Sequence, residues 1–484
     1  MARQKLIMIS GAAPGLGKSS LAAGLARRWR DRGLRVELFE EDDILERAEF
    51  ADLIGIWRAG NRPSLDVVLD AAARYLDSCR AAEADVYVQD ALFPFLASLF
   101  AWGYSDEDTS AFLDRLAEAA ESFELLQVHL VGPAQDSIPR AAAREGEGWL
   151  EAMIERAQSW AGAQQVTDLA SLAQFFSLTD GRARRLLRRA PWASFTLDAD
   201  RPQSSVEEEA AELLEPLIAG DDRLPRYDEL RDEALHRSLK GWDFSWLRPR
   251  AAVVATLPWS YPRVVADLAR DRARILDMGT GGGEVLSRLT ARASFTVANE
   301  AWPPNVRVAA TNLAGLKVPV VQDEGAADNF NQDGVRGRLP YRSGAFHLVS
   351  NRHEAFLASE VFRVLAPGGL FVTQQVDHHS YDDLYAALEL DPPADPESWL
   401  SLAGAQVSEV GFQVIVGQRG EEHQAFADVG ALIWYLRAVP WIMPEFHHVE
   451  FRGILQRLHV MMRRSPVVVR QRRFLLIARK PTES

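Results

Sequence analysis

The chain has 484 residues with 47% hydrophobic and 25% charged side chains, the proportions of a soluble globular protein too long for one ordinary core and sized for two or three domains. A formal net charge of -14 argues against a general nucleic-acid scavenger, because phosphate binding needs a positive face; a local basic groove stays compatible with it. The one cysteine, Cys79, excludes an internal disulfide and any cysteine-built zinc site, and its place in an amphipathic pattern reads as a packed thiol.

The opening Met-Ala-Arg-Gln-Lys runs directly into Leu6-Ile-Met-Ile-Ser10. That run is too short for a secretory signal or a membrane span, and no later run reaches spanning length, so a cytoplasmic enzyme with no membrane partner is the expectation. Leu6–Ser10 reads as a buried strand. Gly11-Ala-Ala-Pro-Gly-Leu-Gly-Lys-Ser-Ser20 follows, and then Leu21, Leu25 and Trp29 at four-residue spacing predict a helix that Gly33 stops. Strand, glycine loop and helix in this order are what a P-loop demands, with Ala12 where the strict pattern has its first glycine and Gly11 beside it. Backbone N–H groups over Gly15, Leu16, Gly17, Lys18, Ser19 and Ser20 can surround phosphate oxygens. Lys18 then reaches the β- and γ-phosphates, and the Ser19 hydroxyl ligates magnesium.

Arg35–Asp43 reads as a second strand ending in the carboxylates Glu40, Glu41, Asp42 and Asp43, and Asp85–Asp90 as a third ending in Asp90. Ligand sites gather at the carboxyl ends of strands in open α/β sheets. Asp42 or Asp43 can therefore accept the proton of a substrate hydroxyl, and Asp90 can hold magnesium through water; the competing reading has the acidic quartet cap the next helix. Leu125–Val131 is the next strand, with His129 inside it as a satisfied core histidine. Arg140 and Arg144, four apart before Gly146 and Gly148, suit a lid that neutralises a phosphoryl group in transfer, or else a solvated helix face. Gly181–Arg189 holds five arginines. It can meet RNA or a polyphosphate, and the plainer reading is a solvated face with Leu186 and Leu187 turned inward. Phe195–Asp200 reads as the last strand of this half and Ser205–Leu217 as an amphipathic helix. On these motifs residues 1–220 resemble P-loop nucleoside and nucleotide kinases. The resemblance implies ATP with magnesium at Ser19 and Asp90, and catalytic roles for Lys18, Asp42, Asp90, Arg140 and Arg144.

Residues 221–226 have the polar, proline-containing look of a linker. Tyr227–Asp271 carries Trp242, Trp246, Trp259 and Tyr261, either core anchors or a cover that excludes water from a reacting centre. In Arg274-Ile-Leu-Asp-Met-Gly-Thr-Gly-Gly-Gly-Glu284 a strand ends near Asp277, Gly279, Gly281 and Gly283 permit a tight turn, and a helix starts through Val285, Leu286 and Leu289. Glu300 closes a second strand, Phe295–Glu300, about 20 residues past the first glycine, where an acid can grip ribose hydroxyls. This fingerprint alone fits NAD, FAD or S-adenosylmethionine. Gly344–Ser350, followed by Glu360-Val-Phe-Arg-Val-Leu-Ala-Pro-Gly-Gly-Leu-Phe-Val372, resembles the fourth and fifth strands of Rossmann-like S-adenosylmethionine-dependent methyltransferases.

That resemblance implies Asp277 at the strand edge, Gly279, Thr280, Gly281 and Gly283 around the methionine portion, and Asn299, Glu300 and Ala301 along ribose and adenine. It also implies Asp323 at the adenine amino group and Asn351 in the cofactor pocket. Phe346-His347 departs from the family's usual Phe-Asp. His353, at the exit of its strand, can deprotonate an acceptor, though proximity and in-line orientation often suffice. Asp377-His378-His379 and His447-His448 are weighed as metal ligands, and no metal is expected there. Val407–Val416 and Val467–Ala478 resemble the terminal antiparallel strands of the fold, with a lid helix at Ala431–Trp441 between them.

The expectation is therefore an α/β chain of two three-layer αβα domains. A P-loop kinase-like parallel sheet occupies 1–220. A methyltransferase occupies 227–484, with a helical cap over 227–271 and a core over 272–484 that carries a lid insertion near 420–460. The favoured function is a fusion of an ATP-dependent kinase-like domain, for a small molecule or a nucleoside or nucleotide, with a methyltransferase acting on small molecules. A regulatory or scaffolding P-loop half is the alternative, and RNA modification a third.

Overall fold

The structure is a computed structural model; it describes residues 4–90, 92–218, 225–238, 244–288, 295–329, 336–394, 398–444 and 446–482. Most of the expected linker (221–224), Trp242 and Leu289 lie outside the described residues. The chain divides into two compact units, Met1–Asp232 with Met443–Ser465, and Glu233–Ile442 with Pro466–Ser484.

The first unit is built on β1 (Gln4–Ser10), β2 (Val36–Phe39), β3 (Val86–Asp90), β4 (Phe123–Val131) and β5 (Ala193–Asp198), a sheet in the order β2-β3-β1-β4-β5. Every pairing in it is parallel. A parallel strand covered on both faces reads as an unbroken apolar run, and β1 shows why. Its Ile7 and Ile9 enter one apolar cluster, and Leu6 and Met8 the opposite one. The helix Lys18–Arg30 lays Leu21, Leu25 and Trp29, each 0% exposed, into the first cluster; each contributes on the order of 2 kcal/mol by burial. Register brings Ile9 opposite Asp90 and Ser10 opposite His129, so the polar ends of three strands share one edge.

Three local expectations change here. β2 stops at Phe39, and the acidic quartet enters a short 3-10 turn in which Glu40 and Asp43 cap each other's backbone. The arginine-rich stretch ends the helix Leu169–Arg189: Leu186 and Leu187 are buried, Arg182 and Arg185 pair with Asp106, Arg184 with Asp180 and Arg189 with Glu450. Met443–Ser465, expected within a lid of the second half, belongs to the first unit, where its helix Arg452–Met462 packs on β5 and on the helix Leu169–Arg189. Gly453 makes that approach possible, since a Cβ there would stand 2.2 Å from the Leu187 carbonyl oxygen.

The second unit holds β6 (Ala251–Ala255), β7 (Arg274–Met278), β8 (Phe295–Glu300), β9 (Val320–Gln322), β10 (Phe346–Arg352), β11 (Leu365–Val376), β12 (Gln413–Phe426) and β13 (Val467–Arg479). Their order is β6-β12-β13-β11-β10-β7-β8-β9. The run from β11 to β9 is parallel, and β13 lies antiparallel to both β11 and β12. Here too the alternation is two-sided: Leu276, Val349 and Phe371 enter one cluster, Ile275, Leu348 and Val372 the other. The cap expected over 227–271 is not all helix. The β-prone Ala251-Ala-Val-Val-Ala255 pairs antiparallel with β12 instead. Val407 lies in the helix Trp399–Glu409, and the strand starts only at Gln413, after Gly411 at φ 101° breaks the helix. The expected lid helix is Val429–Ala438; it is buried on nearly every side, with Trp434 2% and Tyr435 7% exposed, so both pack as core. Cys79 is a buried thiol pushed up to about 12 by desolvation. Among the described residues no helix is long and apolar enough to cross a membrane.

Candidate functional sites

In the first unit the loop after β1 turns through Gly15 (φ 77°) and Gly17 (φ 86°) into the helix Lys18–Arg30. Gly15 is required on two counts: L side chains rarely adopt its φ, and a Cβ there would stand 2.0 Å from the Ser137 carbonyl oxygen. Lys18 folds back so that Nζ donates to the Ala13 carbonyl at 3.0 Å. Burial lowers the Lys18 pKa, while the negative charges of Glu41 and Asp90 oppose that shift. Asp90, 2% exposed, is pushed up by desolvation against the pull of its Ser19 hydrogen bond and of Lys18, and its Oδ1 is buried without a partner. Glu41 keeps an exposed surface, yet desolvation raises its pKa. Those two facts agree if the carboxyl lines a recess, and it does.

That recess is a cavity of about 220 Å³, lined by the loop with Lys18, Ser19, Glu41 and Arg144 and by the apolar side chains of Phe93, Phe95, Met153 and Phe176. Its floor carries a hydrogen-bonded chain. Gln127 Nε2 donates to Ser10 Oγ, Ser10 Oγ lies 2.8 Å from His129 Nδ1, and His129 Nε2 lies 2.9 Å from Asp180 Oδ1.

In the second unit the turn after β7 runs through Gly279, Gly281 and Gly283, with φ of 65°, 62° and 79°. Asp277 accepts from Ser350 Oγ at 2.7 Å and Thr280 Oγ1 at 2.8 Å, and burial raises its pKa. Glu300, 4% exposed at the end of β8, accepts from Gly281 N–H at 2.7 Å and Trp302 N–H at 2.9 Å. Asn299 donates to Asp323, and its own Oδ1 is buried without a partner. Asn351 Oδ1 accepts from Thr373 and Gln375, each at 2.7 Å, which leaves Asn351 Nδ2 buried and unpartnered. Tyr261 donates to the Asn351 carbonyl at 2.8 Å, and Trp259 Nε1 to Gln374 Oε1 at 2.8 Å.

Glu354 covers the glycine turn: a Cβ on Gly279 would stand 2.3 Å from Glu354 Cβ and 2.4 Å from its Cγ. Desolvation, and then the charges of Glu300 and Asp323, push the Glu354 carboxyl up to about 7. His353, at φ 58°, has exposed surface, but desolvation drops its pKa well below the ordinary value, with Arg473 and Arg352 adding to the effect. His353 Nε2 lies 3.3 Å from Gln374 Nε2.

Neither a protein-family model nor a curated protein matches the sequence. Solved structures do resemble it. The YcgJ protein from Bacillus subtilis is 18% identical over 46% of this chain and 99% of its own, with a TM-score of 0.32. A SAM-dependent methyltransferase from Aquifex aeolicus is 15% identical over 40% of this chain and 92% of its own, with a TM-score of 0.26. A functionally unknown protein from Deinococcus radiodurans R1 is 16% identical over 48% of this chain and 90% of its own, at 0.32. Each is a likeness at low identity.

Of the residues singled out from sequence, Gly15, Gly17, Lys18, Ser19 and Arg144 line the first cavity, with Asp90 beside Ser19. Leu16 turns into the apolar cluster and Ser20 is exposed. Asp42 is exposed and its neighbour Glu41 takes the wall position; Arg140 pairs with Asp200 at 3.7 Å away from the lining. In the second unit Asp277, Gly279, Thr280, Gly281, Gly283, Asn299, Glu300, Asp323 and Asn351 gather at the strand edge, and Ala301 stands by Gly325. Asp377 is held by His378 and Arg419, and among the described residues no group of three His, Cys, Asp or Glu is placed to hold a metal ion. Sequence reasoning placed Glu41 in the acidic quartet and Glu354 at the exit of its strand, but gave the proton-accepting roles to Asp42 or Asp43 and to His353. It missed the Ser10–His129–Asp180 chain, which only strand register assembles.

Proposed function

We propose that the chain is a two-centre transferase for small molecules, with S-adenosylmethionine-dependent methyl transfer in the second unit and Mg-ATP-dependent phosphoryl transfer in the first. One observation carries the first half: the hydrogen bond from Gly281 N–H to Glu300 Oε2 at 2.7 Å. It ties the glycine turn to the acid that ends β8, at the carboxyl end of β7, whose neighbours are β8 on one side and β10 on the other, and such switch points are where open α/β sheets bind ligands. The buried, unpartnered Asn299 Oδ1 and Asn351 Nδ2 support the fit, since a nucleoside with an amino-acid tail offers them partners. The acidic lining of Asp277, Glu300, Asp323 and Glu354 favours a cationic ligand.

When bound, the sulfonium supplies an electrophilic methyl group. The chain's own residues then hold and orient. Gly279, Thr280 and Gly281 face the methionine portion, Asn299, Glu300 and Ala301 the ribose and adenine, and Asp323 the adenine amino group. Trp259 and Tyr261 restrict water. Glu354, held near neutrality, is better matched than the depressed His353 to take the acceptor's proton. In the first unit Lys18, Ser19 and the orphaned Asp90 Oδ1 fit a nucleotide phosphate with magnesium, and Arg144 fits the charge that develops during transfer.

The test is calorimetric titration of the full chain with S-adenosylmethionine and its demethylated product, and separately with ATP in magnesium. Saturable uptake of the first pair, weakened by Glu300→Ala, is expected; no uptake of either rejects the methyl-transfer half. ATP binding indifferent to Lys18→Ala rejects the other half. Tight, Lys18-dependent ATP binding with no acceptor phosphorylated assigns the first unit a regulatory role instead.

A further inference from the structure

The cavity of the first unit has two chemically different parts, and only one is accounted for by a nucleotide. Its charged groups, Lys18, Glu41 and Arg144, interact with one another and with Asp90 beside the glycine loop. The apolar part of the lining is Phe93, Phe95, Leu96, Met153 and Phe176, with Ala97 and Ala183 as small residues beside them. Phe93 and Phe95 meet edge to face, ring centroids 5.4 Å apart. Phe95 sits at φ 60°, ψ 12°, a left-handed conformation that an aromatic residue holds only when its surroundings impose it, and here it fixes a ring against the cavity.

Ser10 and His129, which also line the cavity, are hydrogen-bonded to each other, to Gln127 and to Asp180, while Gln127 Oε1 is buried without a partner. With Asp180 accepting from His129 Nε2–H, Nδ1 accepts from the Ser10 hydroxyl, and Ser10 Oγ in turn accepts from Gln127. That leaves the half-buried Ser98 and the buried Thr179 as the polar side chains alongside the apolar residues. A base edge, a sugar with several hydroxyls or a second phosphate needs more partners than these residues supply, because each polar group buried without one lowers affinity.

We infer that the apolar part of this cavity seats the phosphoryl acceptor, and that it selects a small, uncharged alcohol with an aromatic or alicyclic body, its hydroxyl presented to Glu41. This rests on the reading of the first unit as an ATP-dependent phosphotransferase. In the step, the acceptor oxygen forms a bond to the γ-phosphorus of ATP, the bond from that phosphorus to the bridging oxygen breaks, ADP leaves, and the hydroxyl proton passes to the Glu41 carboxylate. Glu41, on the wall, takes the place that sequence reasoning gave to Asp42.

The experiment uses the full chain with Mg-ATP and two sets of acceptors, phenethyl alcohol and cyclohexanol against adenosine, AMP and glucose. Product is read by mass spectrometry, and acceptor binding by calorimetry in the presence of a non-hydrolysable ATP analogue. The alcohols are expected to lead by about tenfold or more in kcat/KM. Ser98→Phe and Met153→Trp, which fill the apolar part from two different helices, are expected to abolish alcohol binding while the ATP analogue still binds; thermal melting checks that each is folded. Preference for adenosine, AMP or glucose overturns the inference and leaves the phosphotransferase reading standing. Lys18-dependent ATP binding with neither alcohol bound or phosphorylated overturns it as well. Failure of the wild-type chain to bind ATP removes the reading beneath it, a result distinguishable from the other two.

Discussion

The two glycine turns of this chain are built from the same parts and crowded by different ones. Each follows a central parallel strand, places glycines at positive φ and opens a helix. At Gly15 in the first unit the neighbour is main chain, the Ser137 carbonyl oxygen lying 2.0 Å from where a Cβ would stand, while at Gly17 it is the Gln203 side chain. In the second it is a side chain, Glu354, over Gly279. The charges differ as well. Lys18 and Arg144 face Glu41 and Asp90 in the first turn, whereas buried carboxyls with raised pKa values surround the second. Topology therefore fixes where a ligand goes, and the side chains leaning over the turn decide its sign.

The sharpest way to break this comparison is to add a methyl group to each turn. Gly15→Ala and Gly279→Ala should each cost about 3 kcal/mol, from strained φ together with overlap. They should differ in rescue. Removing the obstructing side chain with Glu354→Gly should return about 1–2 kcal/mol to Gly279→Ala. No side-chain substitution can move the Ser137 carbonyl, so Gly15→Ala should have no such partner. Differential scanning calorimetry of the singles and the double measures this, and rescue absent from the second turn would show that Glu354 does not hold the position described.

The charge difference predicts the next largest effect. Lys18→Ala should weaken ATP binding about 100-fold, because the phosphates lose their cation and meet Glu41 and Asp90 without a compensating charge. It should leave S-adenosylmethionine binding unchanged. A loss at both sites, or at neither, in parallel titrations would end the assignment of separate ligands to the two turns.

How much of this was readable in advance follows the same division. Both strand–turn–helix units were legible, because Leu6–Ser10 and Arg274–Met278 lead into glycine loops and then helices, which local sequence encodes. The acids at strand ends were legible as a class. Which acid faces the cavity was not: the 3-10 turn after β2 rotates Glu41 onto the wall and spends Glu40 and Asp43 as caps, a matter of one residue's rotation that no periodicity reveals. Ser10, His129 and Asp180 are far apart in the chain and meet through parallel register and the course of the helix Leu169–Arg189. The segment Met443–Ser465 was misplaced for a similar reason. Its sequence forms a helix wherever it docks, and the small Gly453 that admits it to the first unit looks like any other glycine.

The pH dependence sharpens the electrostatic side of the comparison. Glu354 is raised from an ordinary 4.5 to about 7, so its protonated form is the one the fold favours. Its contribution to stability is complete below the ordinary value and is lost as pH rises through about 7. Glu354→Gln, which stays neutral, should melt with the wild type at about pH 5 and above it at about pH 8. Binding of S-adenosylmethionine should move the opposite way. Ionised Glu354 attracts a cation, so wild-type affinity should rise across the same interval and the variant's should stay flat. Coincident melting curves at both ends would mean that the carboxyl is already ionised in the fold.

The smallest effect concerns how the second turn is positioned rather than charged. The Tyr261 hydroxyl donates to the carbonyl of Asn351, the residue whose Nδ2 is left over after Thr373 and Gln375 have taken its Oδ1. Tyr261→Phe removes one hydrogen bond and keeps the ring, so stability should fall by about 1 kcal/mol. If Asn351 Nδ2 is a ligand contact, the looser backbone should also weaken S-adenosylmethionine binding a few-fold, and Asn351→Ala should weaken it further while Tyr261→Phe adds nothing in that background. Additive losses in the pair would separate the two residues and leave Tyr261 a packing role alone. The first turn offers the matching control: ATP affinity should be the same in all three variants, since none of these residues belongs to that unit.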